Sequence, residues 1–278
     1  MALAWKKAGV VDQVVACDLD EEELDEALDM GVADSVTTSI KEAVTQADII
    51  AVAVPVLAMG KVFSEVARYM RKDAIVTDVG STRCTVIRKA REGLGDRFDR
   101  YAPCHPIAGG ELPGVKHAVA DLFKNKAIIA TPDIGMDPSV MRVIEEAWEK
   151  TGAVVQTMSP ELHDDVFASV SHLPHVLAYA LVDMIARESN AQIKLGMAGA
   201  GFRDFTRIAS SSPVMWRDIC LTNREAISQE LQRYRHELDE LQRAIDDSDS
   251  EYIEACFDNA MRNRRGLVFT RKAEKRTE

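Results

Sequence analysis

Short apolar runs separated by stretches of helical spacing fill the first 157 residues, and beyond Ser159 and Pro160 those runs stop. The runs cover residues 14–17, 48–54, 74–79, 100–104, 126–131 and 153–157, with helical stretches at 21–28, 62–70, 85–92 and 138–150. Strands that are apolar on both faces and spaced by helices build a parallel, doubly wound α/β sheet covered on both sides. The second half reads as all-helical. Over residues 161–189 the apolar positions are Val166, Val170, Leu173, Leu177, Leu181 and Met184, a helical period, with Pro174 expected to kink the helix without ending it. Over residues 223–245, Ile227, Leu231, Tyr234, Leu238, Leu241 and Ile245 form a heptad stripe, suited to packing on its own domain or to a helix–helix dimer contact. The division expected is 1–158 for the sheet domain, 159–270 for the helical domain and 271–278 for a basic tail.

The charge balance narrows the function classes. A net charge of −11 leaves nothing broadly basic to meet phosphates, which argues against a nucleic-acid binder or a protein of anionic membrane surfaces. The basic residues near the end, Arg262, Arg264, Arg265, Arg271, Lys272, Lys275 and Arg276, read as a frayed, solvated tail. Five scattered cysteines contain no C-x-x-C pair, a pattern that suits a reducing cytoplasm better than a disulfide framework or a zinc site. No signal peptide is visible, and no apolar run approaches the ~20 residues of a membrane span.

Asp18 ends the first strand. In a dinucleotide-binding unit an acidic residue there accepts hydrogen bonds from the adenosine ribose, and it repels a 2′-phosphate, which favours NAD over NADP. A plain helix cap is the competing reading. Val54, Pro55 and Ser81, at the ends of the next two strands, complete the cofactor side of this rim. The glycine fingerprint that should accompany Asp18 lies roughly 20 residues upstream, at or before Met1. The expectation is therefore a chain that begins inside the nucleotide-binding unit, with weak NAD binding and a poorly covered sheet. Residues 2–8 look like the body of the helix that follows such a loop.

His105 stands where a strand runs into a Pro- and Gly-rich loop, at the end of a sheet where ligands bind, and its imidazole titrates near neutral pH. Ser81 falls on the same rim, where the pair would be nucleophile and base, or would orient and deprotonate a substrate hydroxyl. Cys104 invites a nucleophile reading but suits the core better. Ser171 and His175 share a helix face at i, i+4. His172 and His175 form an H-x-x-H pair, a weak metal signal without an acidic helper. Arg207 carries the planar fork that suits a carboxylate, whereas Arg203 and Asp204 read as a surface pair.

Taken in order, Asp78-Val79-Gly80-Ser81, His105-Pro106-Ile107-Ala108-Gly109, Ser171-His172-Leu173-Pro174-His175, the run from Gly201 to Ala209 and Met215-Trp216-Arg217-Asp218-Ile219 resemble the prephenate/arogenate dehydrogenases of tyrosine biosynthesis. The resemblance implies a Rossmann-like N-terminal domain, a helical domain through which two subunits associate as a homodimer, and a cleft between them for NAD and a small-molecule substrate. It makes His105 the catalytic base toward the C4 hydroxyl, Ser81 its partner on that hydroxyl, and Arg207 the grip on a substrate carboxylate. Ser171 and His175 become substrate-side positions and Glu111 an acidic residue gating the cleft. The loop here has Gly110 and Leu112 where relatives often carry polar residues, which leaves prephenate and arogenate both open. A β-hydroxyacid-type dehydrogenase would use a lysine on the long helix, and the 171–175 segment offers none. A non-catalytic helical dimer is the remaining alternative, raised by the missing glycine loop.

Overall fold

The computed structural model describes residues 1–109 and 114–267. The strands are β1 (Val15–Cys17), β2 (Ser35–Thr37), β3 (Ile49–Val52), β4 (Ile75–Asp78), β5 (Tyr101–Pro106), β6 (Ala127–Ala130) and β7 (Val154–Thr157). Between them lie α1 (Ala2–Lys7), α2 (Glu21–Asp29), α3 (Ile40–Val44), α4 (Met59–Tyr69), α5 (Cys84–Leu94) and α6 (Pro138–Lys150). Each apolar run expected to be a strand is one. Two short elements, β2 and α3, have too little periodicity to be seen in the sequence.

The sheet is not wholly parallel. β1 pairs with β2, and a second sheet runs in the order β3-β4-β5-β6-β7. β5 and β6 pair antiparallel, with His105 opposite Ile129. A parallel pair needs a crossover, usually helical. Residues 107–126 supply only a single short 3₁₀ turn at Val115–His117 among those described, so the chain comes back in the opposite direction. His105 therefore lies within a strand, one residue short of its end, and not in the loop beyond it.

Period-two alternation sends neighbouring residues to opposite faces. Val76 and Tyr101 pack under α4 and α5 with Phe63, Ile87 and Leu94, while Ile75, Ala102 and Cys104 face α1 and α6 with Trp5, Ile144 and Trp148. Cys104 is buried in that second core, and burial raises its thiol pKa, which removes it as a nucleophile.

The helical half comprises α7 (Pro160–Phe167), α8 (Leu173–Ala186), α9 (Ala191–Gly196), α10 (Ala200–Thr206), α11 (Pro213–Thr222), α12 (Arg224–Asp246) and α13 (Ser250–Gly266). α7 and α8 are one helix joined by a π turn at Ala168–His172, which ends two residues before Pro174. Proline has no N–H for the carbonyl four residues back and its ring crowds that carbonyl, and a widened turn relieves both. By length and composition this helix, with a mean hydropathy of 1.2 over its most apolar window, meets the minimum for a membrane span, against the expectation. His163, Asp164 and His172 are buried on it and bonded to other elements of the protein. Arg262, Arg264 and Arg265 lie on α13 and not in a frayed tail, whereas residues 271–278 fall outside the described residues. The expected Arg203–Asp204 pair is absent among the described residues: Arg203 donates to the Ala198 carbonyl at 2.8 Å. On α12 only part of the heptad stripe is covered, with Ile227 buried and Tyr234, Leu238 and Ile245 exposed.

Beneath the rim of the sheet sits a fully buried ion pair. Arg83 Nη1 and Nη2 donate to the two oxygens of Asp78 at 2.7 and 2.8 Å, both side chains having no exposed surface. Tyr101 Oη also donates to Asp78, and Arg83 reaches the Gly80 carbonyl at 2.8 Å and Thr131 Oγ1 at 3.1 Å. Removing one partner of such a pair leaves an uncompensated charge in a low dielectric. Asp78→Asn should lower folding stability by about 3–5 kcal/mol. An unchanged urea midpoint would show that the network is not structurally required.

Candidate active site

Five of the sequence-predicted residues lie along one rim. Asp18 follows β1, Val54 and Pro55 follow β3, Ser81 follows β4, and His105 is next to last in β5. The register of β4 on β5, with Asp78 opposite Pro103, brings Ser81 and His105 to the same end of the sheet. Among the described residues no hydrogen bond joins Ser81 to His105.

His105 is bonded instead to a residue that sequence reasoning missed. Its Nδ1 lies 2.8 Å from Nε2 of His163 on α7, and Nδ1 of His163 lies 2.9 Å from Oδ1 of Asp164. The His105 ring also meets Phe167 edge-on at 5.2 Å. Burial, with His163, Arg83 and His172 nearby, holds the His105 pKa well below the ordinary imidazole value, so the ring is neutral at pH 7. His163 is likewise lowered by burial, against the pull of Asp164. Asp164 in turn accepts the backbone N–H of Arg83 at 2.7 Å and of Cys84 at 2.9 Å. Helix α5 has no cap from its own N-cap side chain, and Asp164 supplies one from across the domain junction.

The other histidines on the long helix part company. His172 is buried. Its Nδ1 faces the Asn223 amide at 3.2 Å, its ring is bonded to the Ser81 backbone, and burial lowers its pKa to about 4. His175 Nδ1 donates to the Ser171 carbonyl at 2.8 Å, and the ring stacks on Trp216 with centroids 3.7 Å apart. Burial lowers the pKa of His175, and the charge of Arg207 adds to the effect, which places Arg207 in its electrostatic neighbourhood. Ser171 thus meets His175 as the i, i+4 spacing predicts, through its main chain. Glu111 lies outside the described residues.

The cofactor side has its own fastenings. Asp218, buried on α11, accepts the Leu57 N–H at 3.4 Å, and Lys89 Nζ donates to the Val56 and Leu57 carbonyls at 3.2 and 3.0 Å. These bonds secure the loop that carries Val54 and Pro55. Asp18 is exposed, and its Oδ1 accepts the N–H groups of Leu19 at 2.6 Å and Asp20 at 3.1 Å. Its second oxygen has no partner among the described residues. Leu19, Asp20, Glu21 and Glu22 line an open acidic hollow with it. An acceptor in an acidic hollow beyond a strand end fits the adenosine ribose of NAD and disfavours a 2′-phosphate.

Comparison with known proteins agrees with this arrangement. Residues 1–157 match the nucleotide-binding domain model of prephenate dehydrogenase, and residues 159–259 match its dimerization domain model. The chain is 37% identical over 246 residues to the cyclohexadienyl dehydrogenase of Zymomonas mobilis, spanning 87% of this chain and 83% of that protein. It is 34% identical over 274 residues to the prephenate dehydrogenase of Bacillus subtilis, spanning 98% and 74%. The crystal structure of Aquifex aeolicus prephenate dehydrogenase, solved with hydroxyphenyl propionate and NAD⁺, superposes with a TM-score of 0.87 at 34% identity, over 95% of this chain and 92% of that one. A helical dimer without activity is not favoured by relatives that are named as dehydrogenases along nearly the whole length of the chain. With matches across both halves, the chain belongs to the prephenate dehydrogenase family.

Proposed function

We propose that the protein catalyses the oxidative decarboxylation of prephenate to 4-hydroxyphenylpyruvate in tyrosine biosynthesis, with NAD as hydride acceptor. The observation that carries this reading is a neutral, anchored imidazole, His105, at the rim shared by Ser81 and the dinucleotide side of the sheet. His105 takes the proton of the C4 hydroxyl, and Ser81 orients that hydroxyl. NAD, when bound, supplies the acceptor for the C4 hydride. The C4 ketone so formed drains the electron pair of the ring-carboxylate bond as carbon dioxide leaves. The ring becomes aromatic, and the C4 oxygen ends as a phenol. Arg207 grips a substrate carboxylate, Ser171 and His175 serve as further substrate-side positions, and Glu111 has the gating role that the family resemblance implies. The exposed Leu238 and Ile245 of α12 give the helical half an apolar face for a second copy of the chain, and the enzyme works in the cytoplasm as a homodimer.

Arogenate is the second reading, favoured by identity to a relative named for cyclohexadienyl substrates in general. Assays with prephenate and arogenate, each with NAD and NADP, decide between them. Prephenate with NAD should give the highest kcat/KM, and turnover confined to arogenate, or to NADP, would overturn the proposal.

His105→Asn should cut turnover about 10²–10⁴-fold with substrate binding largely kept, the scale of lost general-base catalysis. Because the His105 pKa is lowered, its basic form persists as pH falls below 6.5 and is lost only in more acid solution. The acid limb of the kcat/KM profile should therefore lie below pH 6.5 and should be missing in His105→Asn. Near-normal turnover in the variant would remove His105 from the base role. Arg207→Ala should raise KM for prephenate with a smaller change in kcat, and an unchanged KM would count against carboxylate recognition.

A further inference from the structure

We propose that His163 and Asp164 act as a relay that fixes the proton of His105 on Nδ1, and so leaves Nε2 bare to accept the substrate proton. The inference rests on His105 being the base and adds the two positioning residues that make it one. An ionised carboxylate only accepts hydrogen bonds. Asp164 is held in that form by His163 and by the N–H groups of Arg83 and Cys84, against the cost of its own burial. Nδ1 of His163, 2.9 Å from Asp164 Oδ1, must then carry a hydrogen. In a neutral ring the other nitrogen is a pure acceptor, so Nε2 of His163 accepts from His105 Nδ1 across 2.8 Å. One chain of bonds thus dictates where each proton sits. Left to itself, histidine prefers the opposite tautomer, with the hydrogen on Nε2, which cannot act as the base.

The structure also separates this role from ordinary packing. His163 is fully buried, and its ring is tilted against Phe167 at 4.4 Å, so its plane is fixed. The groups that face His105 are His163 and Phe167 from α7, His172 from the π turn, and Arg83 from the junction below β4. Of these only His163 offers His105 an acceptor. Arg83 is saturated by Asp78, Gly80 and Thr131, and His172 is committed to Asn223 and the Ser81 backbone. As the substrate proton arrives, the imidazolium formed on His105 is stabilised through His163 by the distant charge of Asp164.

Nitrogen-15 NMR of the unsubstituted protein, labelled in histidine and recorded above the titration of His105, reads the tautomer directly. Assignment follows from the signals lost in His105→Asn. The expected result is a pyrrole-type Nδ1 and a pyridine-type Nε2 for His105, and the reverse pattern would overturn the relay. In His163→Leu the population should move toward Nε2–H, and kcat should fall about 10²–10⁴-fold, as when a base loses the partner that sets its tautomer. KM for prephenate and NAD should stay within a few-fold, because neither residue is placed against a ligand. His163→Gln, which can accept from His105 and donate to Asp164, should recover much of the loss. A folded His163→Leu enzyme with unchanged kcat would overturn the relay while leaving His105 as base. Near-normal turnover in His105→Asn would instead remove the reading on which the relay depends.

Discussion

The buried pair of Asp78 and Arg83 is the constraint from which the rest of the site takes its position. Two full charges without solvent are tolerable only when every lone pair and N–H is met, and here they are met from three elements. Tyr101 comes from β5, Thr131 from the end of β6, and the Gly80 carbonyl and amide from the loop after β4. Burying such a pair contributes little net stability compared with an apolar replacement. What it contributes is shape. The loop from Val79 to Arg83 cannot move without unpairing a charge, so Ser81 and the start of α5 are held where the strand ends leave them.

The same loop is where the two halves meet. Asp164 closes the N-terminus of α5, its backbone carbonyl accepts from Asn223 at 2.7 Å, and Thr82 and Thr85 bond to Thr222 at 3.1 and 2.9 Å. The junction is therefore polar and directional. It sets the long helix against the sheet by hydrogen bonds that fail if the helix rotates. One carboxylate caps a helix of one domain, orients a histidine of the other, and through it reaches the imidazole on the rim. Such sharing makes the position of His105 a property of both domains together.

Much of this could be read from the residues alone, and the parts that could not have physical reasons. Apolar runs identify strands because burial on both faces demands them, yet composition does not encode strand direction, and the antiparallel β6 had to be seen. Pro174 signals a disturbed helix but does not say whether the disturbance is a kink or a π turn. His163 and Asp164 lie off the apolar stripe that marks the helix, and a polar pair in its second turn resembles ordinary solvated surface. The usable signal was a histidine beside an aspartate at the start of a helix that also carries Phe167, Leu173 and Leu177. Asp218 lies within a recognisable motif, yet nothing local shows that it accepts from the distant Leu57 amide.

The electrostatics of the site follow from this wiring. His105, His163 and His172 are all pushed toward the neutral form by burial, which places three uncharged rings around the point where a proton must be accepted. A lowered pKa weakens a base, and in isolation it would work against proton abstraction. Asp164 offsets that weakness at a distance. Its charge does not touch His105, so it cannot neutralise the base by an ion pair, but it strengthens the acceptor that His105 bonds to. The ring therefore stays neutral while the cleft is empty and becomes a better host for a proton as one is transferred. In this arrangement burial keeps the base available, and the relay limits the driving force lost to burial.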